Sequence, residues 1–193
     1  MLFRPISVLV SVGLFAQAAL AALMPGQVVT ELGHLASLSG NVNTVLSGVT
    51  TDAGTHALTV HPQTVVKDFQ TIINQINGFV TAVQATPPFS DDEASPVDDK
   101  LADVILMSTL VGKHSIFAQF ALTVRIASTL RPLDSSLESL SFALIDLLPT
   151  RKDHVDEAKD KFSASTAAAS TKYDQFCIPS PLYPVVAPVC GGN

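Results

Sequence analysis

The chain has 193 residues, of which 47% are hydrophobic and 15% are charged, and its formal net charge is −6 at pH 7. This apolar content is enough for one compact core, so we expect a single folded domain. An acidic chain without a basic patch is not built to bind nucleic acid, and anionic bilayers repel it.

The first residues have the pattern of an export signal. Arg4 supplies the positive start, Ile6 to Phe15 form an apolar run, and Ala21 ends a small-x-small cleavage site. We therefore expect a protein that is secreted to the extracellular space, where it is released or attached to a cell wall. Three segments are predicted: a signal peptide (1–21), a helical domain (22–176) and a Pro-rich tail (177–193).

Two helices are predicted in the first part of the chain. Apolar residues recur at spacings of three, four and seven from Gly26 to Val49, and a loop is expected from Thr50 to Val60. The clearest amphipathic helix follows, from His61 to Gln84, with Pro62 near its start. Its apolar residues fall on one arc, which predicts one buried face. They are Val65, Phe69, Ile72, Ile73, Ile76, Phe79, Val80 and Val83.

The middle of the chain changes from acidic to almost wholly apolar. Ser90 and Glu93 form a capping-box pattern in the acidic linker, so the next helix is expected to begin there. From Val97 to Thr129 the sequence is apolar on nearly all sides, which is typical of an element that is buried, inserted in a membrane or lining an apolar cavity. A cation at Lys113 would cost roughly 2.5–3.5 kcal/mol in mid-membrane, so we expect no transmembrane span.

Two more helices complete the predicted fold. A leucine stripe begins after Pro132 and ends at Pro149, with Phe142 and Ile145 off the stripe, and a final helix is expected from Asp153 to Phe176. No segment has the alternating pattern of a strand. The sequence thus predicts an all-α, single-domain bundle of about five amphipathic helices, up-and-down in the simplest case.

The sequence contains little that indicates catalysis. Cys177 and Cys190 of an exported chain are expected to form a disulfide, because their spacing is unlike that of a metal or redox pair. Its five histidines are scattered, and the acidic cluster near Asp91 is typical of a helix start rather than of a calcium loop. Motifs for nucleophilic, phosphate-binding or metal-dependent enzymes are missing. We therefore expect a non-enzymatic protein without a metal or cofactor.

Four segments carry a resemblance to a known family. They read VVTELGHLASLSGNVNTVLSGV, VVKDFQTIINQINGFVTAV, PPFSDDEASPVDDKLADVI and SLESLSFALIDLLP. Their order and composition over residues 26–176 resemble the fungal hydrophobic surface-binding protein A family, which includes cell-wall galactomannoproteins. The resemblance implies a secreted or wall-associated helical bundle that adsorbs to hydrophobic surfaces or holds fatty-acid-like lipid between its helices. The tail after residue 176 departs from the family pattern.

Helical faces alone predict where a lipid would bind. An acyl chain is expected between the middle of the amphipathic helix His61–Gln84 and the middle of the leucine stripe. The apolar segment Val97–Thr129 lies beside it and supplies hydrogen-bond donors for a carboxylate. The predicted lipid-binding residues are Phe69, Ile73, Ile76, Val80, Lys113, His114, Gln119, Leu140 and Leu144. Two alternatives stay open: a filled core in which Lys113 reaches water, and a secreted interaction protein that binds a protein or cell-wall polysaccharide through an outer helix face.

Overall fold

The computed structural model describes residues 22–48, 55–101, 110 and 112–191, with the backbone alone for residues 55–62. This part of the chain is predominantly helical, which confirms the predicted all-α bundle. Its elements are α1 (Pro25–Gly48), α2 (Thr55–Gln84), α3 (Asp91–Leu101), α4 (His114–Gln119), α5 (Thr123–Leu147), a 3-10 helix (Pro149–Arg151), α6 (Lys152–Tyr173), β1 (Phe176–Ile178) and β2 (Val189–Gly191). The predicted signal peptide lies outside the described residues.

Helix α2 is central to the bundle. It packs most extensively on α5 and also on α1, while α6 covers another side of α5. Helix α3 lies against α1 and the 3-10 helix, and the short α4 contacts β1 and α5. The buried faces of these helices form one hydrophobic cluster. In the part of the chain that is described, no helix is long and apolar enough to cross a membrane.

The predicted start of α2 is wrong. The helix begins at Thr55 rather than His61, so residues 55–60 are helical and not a loop, whereas residues 50–54 lie outside the description. Pro62 was interpreted as a first-turn residue, but it lies inside the helix, where a proline removes one backbone hydrogen bond and crowds the carbonyl four residues earlier, at a cost of about 3 kcal/mol. In a helix of 30 residues, the remaining bonds and the buried face from Val65 onward offset that loss.

Helix α3 begins early, as the capping-box pattern predicts. The backbone N–H of Ser90 donates to Glu93 Oε2 at 2.9 Å, and the Ser90 hydroxyl donates to the same oxygen at 2.6 Å. The helix starts at Asp91 with three acidic residues in its first turn, where the positive end of the helix dipole stabilises them. These hydrogen bonds hold the pKa of Glu93 below its usual value.

The apolar element expected from Val97 to Thr129 is not continuous. A break separates α4 from α5, and Ala121 occupies it with a positive φ of 54°. The N–H of Leu122 donates to the Phe117 carbonyl at 3.0 Å and that of Ala121 to the Ala118 carbonyl at 3.2 Å. This is the Schellman pattern, in which a left-handed residue ends a helix. Since that residue is usually glycine, alanine gave no stop signal in the sequence.

The predicted start of the leucine-rich helix is also wrong. Helix α5 begins at Thr123, so Pro132 lies inside it. Buried residues Ile126, Leu130 and Leu133 continue the apolar face across this proline, whose ring is exposed. Packing on both sides therefore keeps the helix intact. The leucine stripe itself is confirmed, with Phe142 exposed outside it.

The last helix is shorter than expected, and two strands follow it. Helix α6 ends at Tyr173, and Phe176 opens β1 instead of continuing the helical stripe. The expectation of no strand is therefore wrong for this segment. The predicted disulfide is confirmed: Cys177 and Cys190 are bonded at 2.10 Å and lie opposite each other in the antiparallel pair. The cross-link brings two short segments together that do not have strand patterns of their own.

Candidate functional site

The predicted apolar contact between α2 and α5 is present. Ser136 of α5 donates a hydrogen bond to the Asn77 side chain of α2 at 3.0 Å, which fixes the two helices side by side at their middle. On both sides of this bond, the predicted lipid-contacting residues are buried. They are Phe69, Ile73, Ile76 and Val80 on α2, and Leu140 and Leu144 on α5.

The apolar middle segment, Val97–Thr129, also contributes residues to the hydrophobic core. Leu110 and Phe117 are buried in the hydrophobic cluster that contains the α2 and α5 residues, and Tyr173 of α6 closes it. The Phe117 and Tyr173 rings lie 6.1 Å apart. Residues of all three predicted elements are thus members of the same buried hydrophobic core.

His114 lies at the edge of this cluster. Its ring is 9% exposed and meets the Tyr173 ring edge-on, with centroids 5.1 Å apart. Its Nε2 atom is 3.9 Å from Cys177 Sγ. Burial lowers the pKa of the imidazole, and the positive charge of Lys172 lowers it further. At neutral pH the ring is therefore uncharged and carries one N–H. A hydrogen bond with the Lys172 backbone partly opposes this lowering of the pKa.

Tyr173 is the polar group buried most deeply beside His114. Its hydroxyl donates to the Leu110 carbonyl at 2.8 Å, and its side chain is fully buried. Burial raises the pKa of the phenol far above its ordinary value. The phenol therefore stays protonated at physiological pH and fixes residue 110 to α6. The sequence placed Tyr173 only within the last predicted helix, from Asp153 to Phe176.

The other two predicted donors are engaged elsewhere. Lys113 Nζ lies 3.5 Å from the Ser47 carbonyl oxygen, near the end of α1. The Gln119 amide binds the backbone of Ser180 twice: its Nε2 donates to the carbonyl at 2.9 Å, and its Oε1 accepts from the N–H at 2.8 Å. The Gln119 nitrogen carries a second N–H, so the amide can meet a ligand carboxylate only in the orientation that Ser180 fixes. No sequence pattern announces this contact, because 61 residues separate the partners.

Two surface clefts lie apart from the predicted lipid-binding residues. A cleft of about 250 Å³ between α5 and α6 is lined by Asp134, Leu137, Glu138, Ser141, Lys159, Asp160, Phe162 and Ser163. A second, of about 300 Å³, is lined by Pro149, Thr150, Arg151, Lys152, Asp153 and His154. Their charged linings suit small polar groups rather than an acyl chain.

His114, Cys177 and Cys190 are the one group of metal-ligating side chains that converges within the described part of the chain, with ligand atoms less than 4.8 Å apart. Both sulfur atoms are in the disulfide. Because thiolate is the form of cysteine that binds metals, this cluster does not present a metal site while the disulfide is intact.

No known family profile matches the chain, and no curated protein is significantly similar to it. The fold is similar to that of AfMp4p in complex with palmitic acid, with a TM-score of 0.68, 18% sequence identity, and coverage of 78% of this chain and 99% of that one. It is also similar to ligand-binding domain 2 of the Penicillium marneffei MP1 protein complexed with multiple arachidonic acids. That comparison has a TM-score of 0.61, 18% identity, and coverage of 77% and 93%. At this identity the likeness concerns the fold.

Proposed function

We propose that this chain is an exported, non-enzymatic protein that binds fatty-acid-like lipid between its helices, in the broad class of the fungal hydrophobic surface-binding and cell-wall proteins it resembles. The observation that carries the proposal is the fold likeness to AfMp4p, which spans 99% of that chain and concerns a complex with palmitic acid. The buried apolar faces of α2 and α5 supply a matching interior.

The acyl chain lies between α2 and α5 in this proposal. Ile76 and Leu144 are each 1% exposed, so a chain that reaches them is removed from water. Each buried methylene group contributes about 0.8 kcal/mol, and a long-chain fatty acid is therefore held mainly by its tail. Filling such a site requires the two helices to make room for the chain, which is the step that distinguishes this proposal from a permanently filled core.

The carboxylate end lies at α4 in this proposal. His114 is the donor best placed there, because it adjoins the apolar cluster through Tyr173. Its neutral ring carries a single N–H, for which a ligand carboxylate would compete with the Lys172 backbone. Lys113, the preceding residue, adds a positive charge just before the start of α4. Gln119 has the smaller role, since its amide holds Ser180.

The proposal includes export and a role without catalysis. A disulfide is typical of proteins from oxidising compartments, which supports export. The polar groups nearest to the core support a non-enzymatic role, because Tyr173 and Gln119 are both used in structural hydrogen bonds. Sequencing the N-terminus of the protein from culture medium tests export, and the expected first residue is Ala22.

Native mass spectrometry of the secreted protein tests the lipid proposal. The expected spectrum contains a species heavier than the bare chain by the mass of one or more fatty acids, and extraction with organic solvent should remove it. A bare chain that also fails to take up added palmitic acid would contradict the proposal. That outcome would favour the alternative, a secreted protein that binds a protein or polysaccharide through an outer helix face.

A further inference from the structure

The C-terminal tail, defined here as residues 176–191, has an apolar outer surface. Six large hydrophobic side chains on it are between 44% and 90% exposed. They are Phe176, Ile178, Leu182, Val185, Val186 and Val189. The sequence from Gln175 to the last residue contains no charged side chain. Such a concentration of exposed apolar groups on a short segment marks an interaction surface.

The strand register explains why these side chains face outward. Ile178 lies opposite Val189, and Phe176 lies opposite Gly191, so these pairs share one face of the hairpin. Cys177 and Cys190 take the other face, on which Cys177 lies near His114 of α4. The alternation therefore leaves the disulfide side half-buried and exposes the apolar side.

The tail is held in this conformation at several points. The disulfide closes it, the Gln119 amide binds Ser180 twice, and the Phe120 and Tyr183 rings meet edge-on with centroids 6.5 Å apart. Four prolines further restrict the backbone. Because the tail cannot easily fold its apolar groups back onto the bundle, it presents them at a low cost in conformational entropy.

Several backbone donors of the tail are satisfied within the protein. The N–H groups of Ser180, Leu182, Tyr183 and Val186 all donate hydrogen bonds to protein acceptors. The four prolines have no N–H group. Backbone donors without partners oppose entry into lipid, and at these positions the tail leaves none.

The composition and charge of this surface favour a lipid partner over a protein partner. The residues of this surface carry no charge, whereas a stable protein interface buries about 800 Å² per partner and surrounds its apolar centre with a polar rim. A lipid surface has no such requirement. Since the chain is acidic overall and the tail has no basic residue, an anionic bilayer would repel it. We propose that the tail inserts its apolar face into the interfacial region of a zwitterionic phospholipid bilayer; this inference is independent of the interior lipid site.

Vesicles of phosphatidylcholine provide the direct test. The chain contains no Trp, so a Leu182→Trp variant places a single tryptophan in the tail, which can be excited separately from Tyr183. Its emission is expected to shift to shorter wavelength when vesicles are added. Adding phosphatidylglycerol to the vesicles is expected to weaken this binding. An unchanged emission spectrum at high lipid concentration would overturn the proposal.

A charge substitution with a matched control shows whether the tail causes the binding. Val185 is 90% exposed, and Val185→Glu is expected to lower vesicle binding in a flotation assay about tenfold. Phe142→Glu adds the same charge at another exposed apolar residue, on α5, where Lys159 lies 5.5 Å from the ring. This control is expected to bind vesicles as the wild type does.

The inference would be overturned if the wild type did not float with vesicles, or if both variants lost vesicle binding equally. A wild type that forms a dimer instead of binding vesicles, with Val185→Glu dissociating the dimer, would also overturn it. Uptake of palmitic acid in solution separates this inference from the proposed function. Val185→Glu is expected to keep that uptake, so loss of vesicle binding alone reports on the tail.

Discussion

Gln119 and Ser180 exchange two hydrogen bonds, with the Gln119 Nε2 donating at 2.9 Å and its Oε1 accepting at 2.8 Å. Ser180 is buried, so its backbone cannot turn to water when the amide is removed. Gln119→Leu is therefore expected to lower the free energy of unfolding by about 1–3 kcal/mol. Hydrogen exchange of the Ser180 amide should accelerate. Gln70→Leu, at an exposed position of α2, is the control, and equal exchange of Ser180 in both variants would contradict this role.

Ala121 is expected to be replaceable by glycine with a gain in stability. Its φ of 54° lies in the left-handed region, where an alanine side chain costs roughly 1–2 kcal/mol. Ala121→Gly removes that cost but makes the unfolded chain more flexible, so the expected net gain is up to about 1 kcal/mol. Chemical denaturation measures it. Ala164→Gly, at an exposed position inside α6, should instead destabilise, and a loss at both positions would refute the strained turn.

The ion pair of His154 with Asp98 is expected to make stability depend on pH. His154 Nδ1 lies 2.7 Å from Asp98 Oδ2, and this hydrogen bond raises the pKa of the imidazole above its ordinary 6.5. The folded protein therefore holds the proton more tightly, so the contribution is present below about pH 6.5 and is lost as pH rises through the folded pKa. A double-mutant cycle of His154→Gln and Asp98→Asn should show coupling at about pH 5.5 and none at about pH 8.5. Coupling that increases with pH would contradict the assignment.

His114 is expected to change the pH dependence of stability in the direction opposite to His154. Burial lowers the pKa of its imidazole below 6.5, so the unfolded chain binds the proton more readily than the folded one. Stability is then lost as pH falls below about 6.5. His114→Gln should remove this loss. Relative to the wild type, the variant should therefore gain unfolding free energy as the pH falls from about 7.5 to about 5. A steeper fall in the variant would rule out a neutral, buried His114.

The buried faces of the helices could be predicted where apolar residues recur at helical spacing along the sequence. Phe69, Ile73 and Ile76 recur at helical spacing, and all three are buried against a helix that carries its own leucine stripe. The same period gave Leu140 and Leu144 correctly. In these segments a single physical rule, the burial of one apolar face, decides both the element and its partner.

Contacts without a local pattern were not predictable. Nothing in the residues around Gln119 points to Ser180, because the amide binds backbone atoms that any residue possesses. Ala121 ends α4 in a position that glycine usually occupies, and Phe176 fits a helical stripe although the disulfide draws it into a strand. In each case tertiary structure outweighed a local preference.

The most direct test of the interior site is the titration of lipid-free protein with palmitic acid before and after Ile76→Trp. Ile76 is 1% exposed at the centre of the α2 face, so a tryptophan there occupies any space an acyl chain would use. Asn74→Trp, on the exposed side of the same helix, is the control. We expect saturable binding in the wild type and the control, and loss of binding in an Ile76→Trp variant whose circular dichroism stays helical. Unchanged affinity for palmitic acid in a folded Ile76→Trp variant would contradict it.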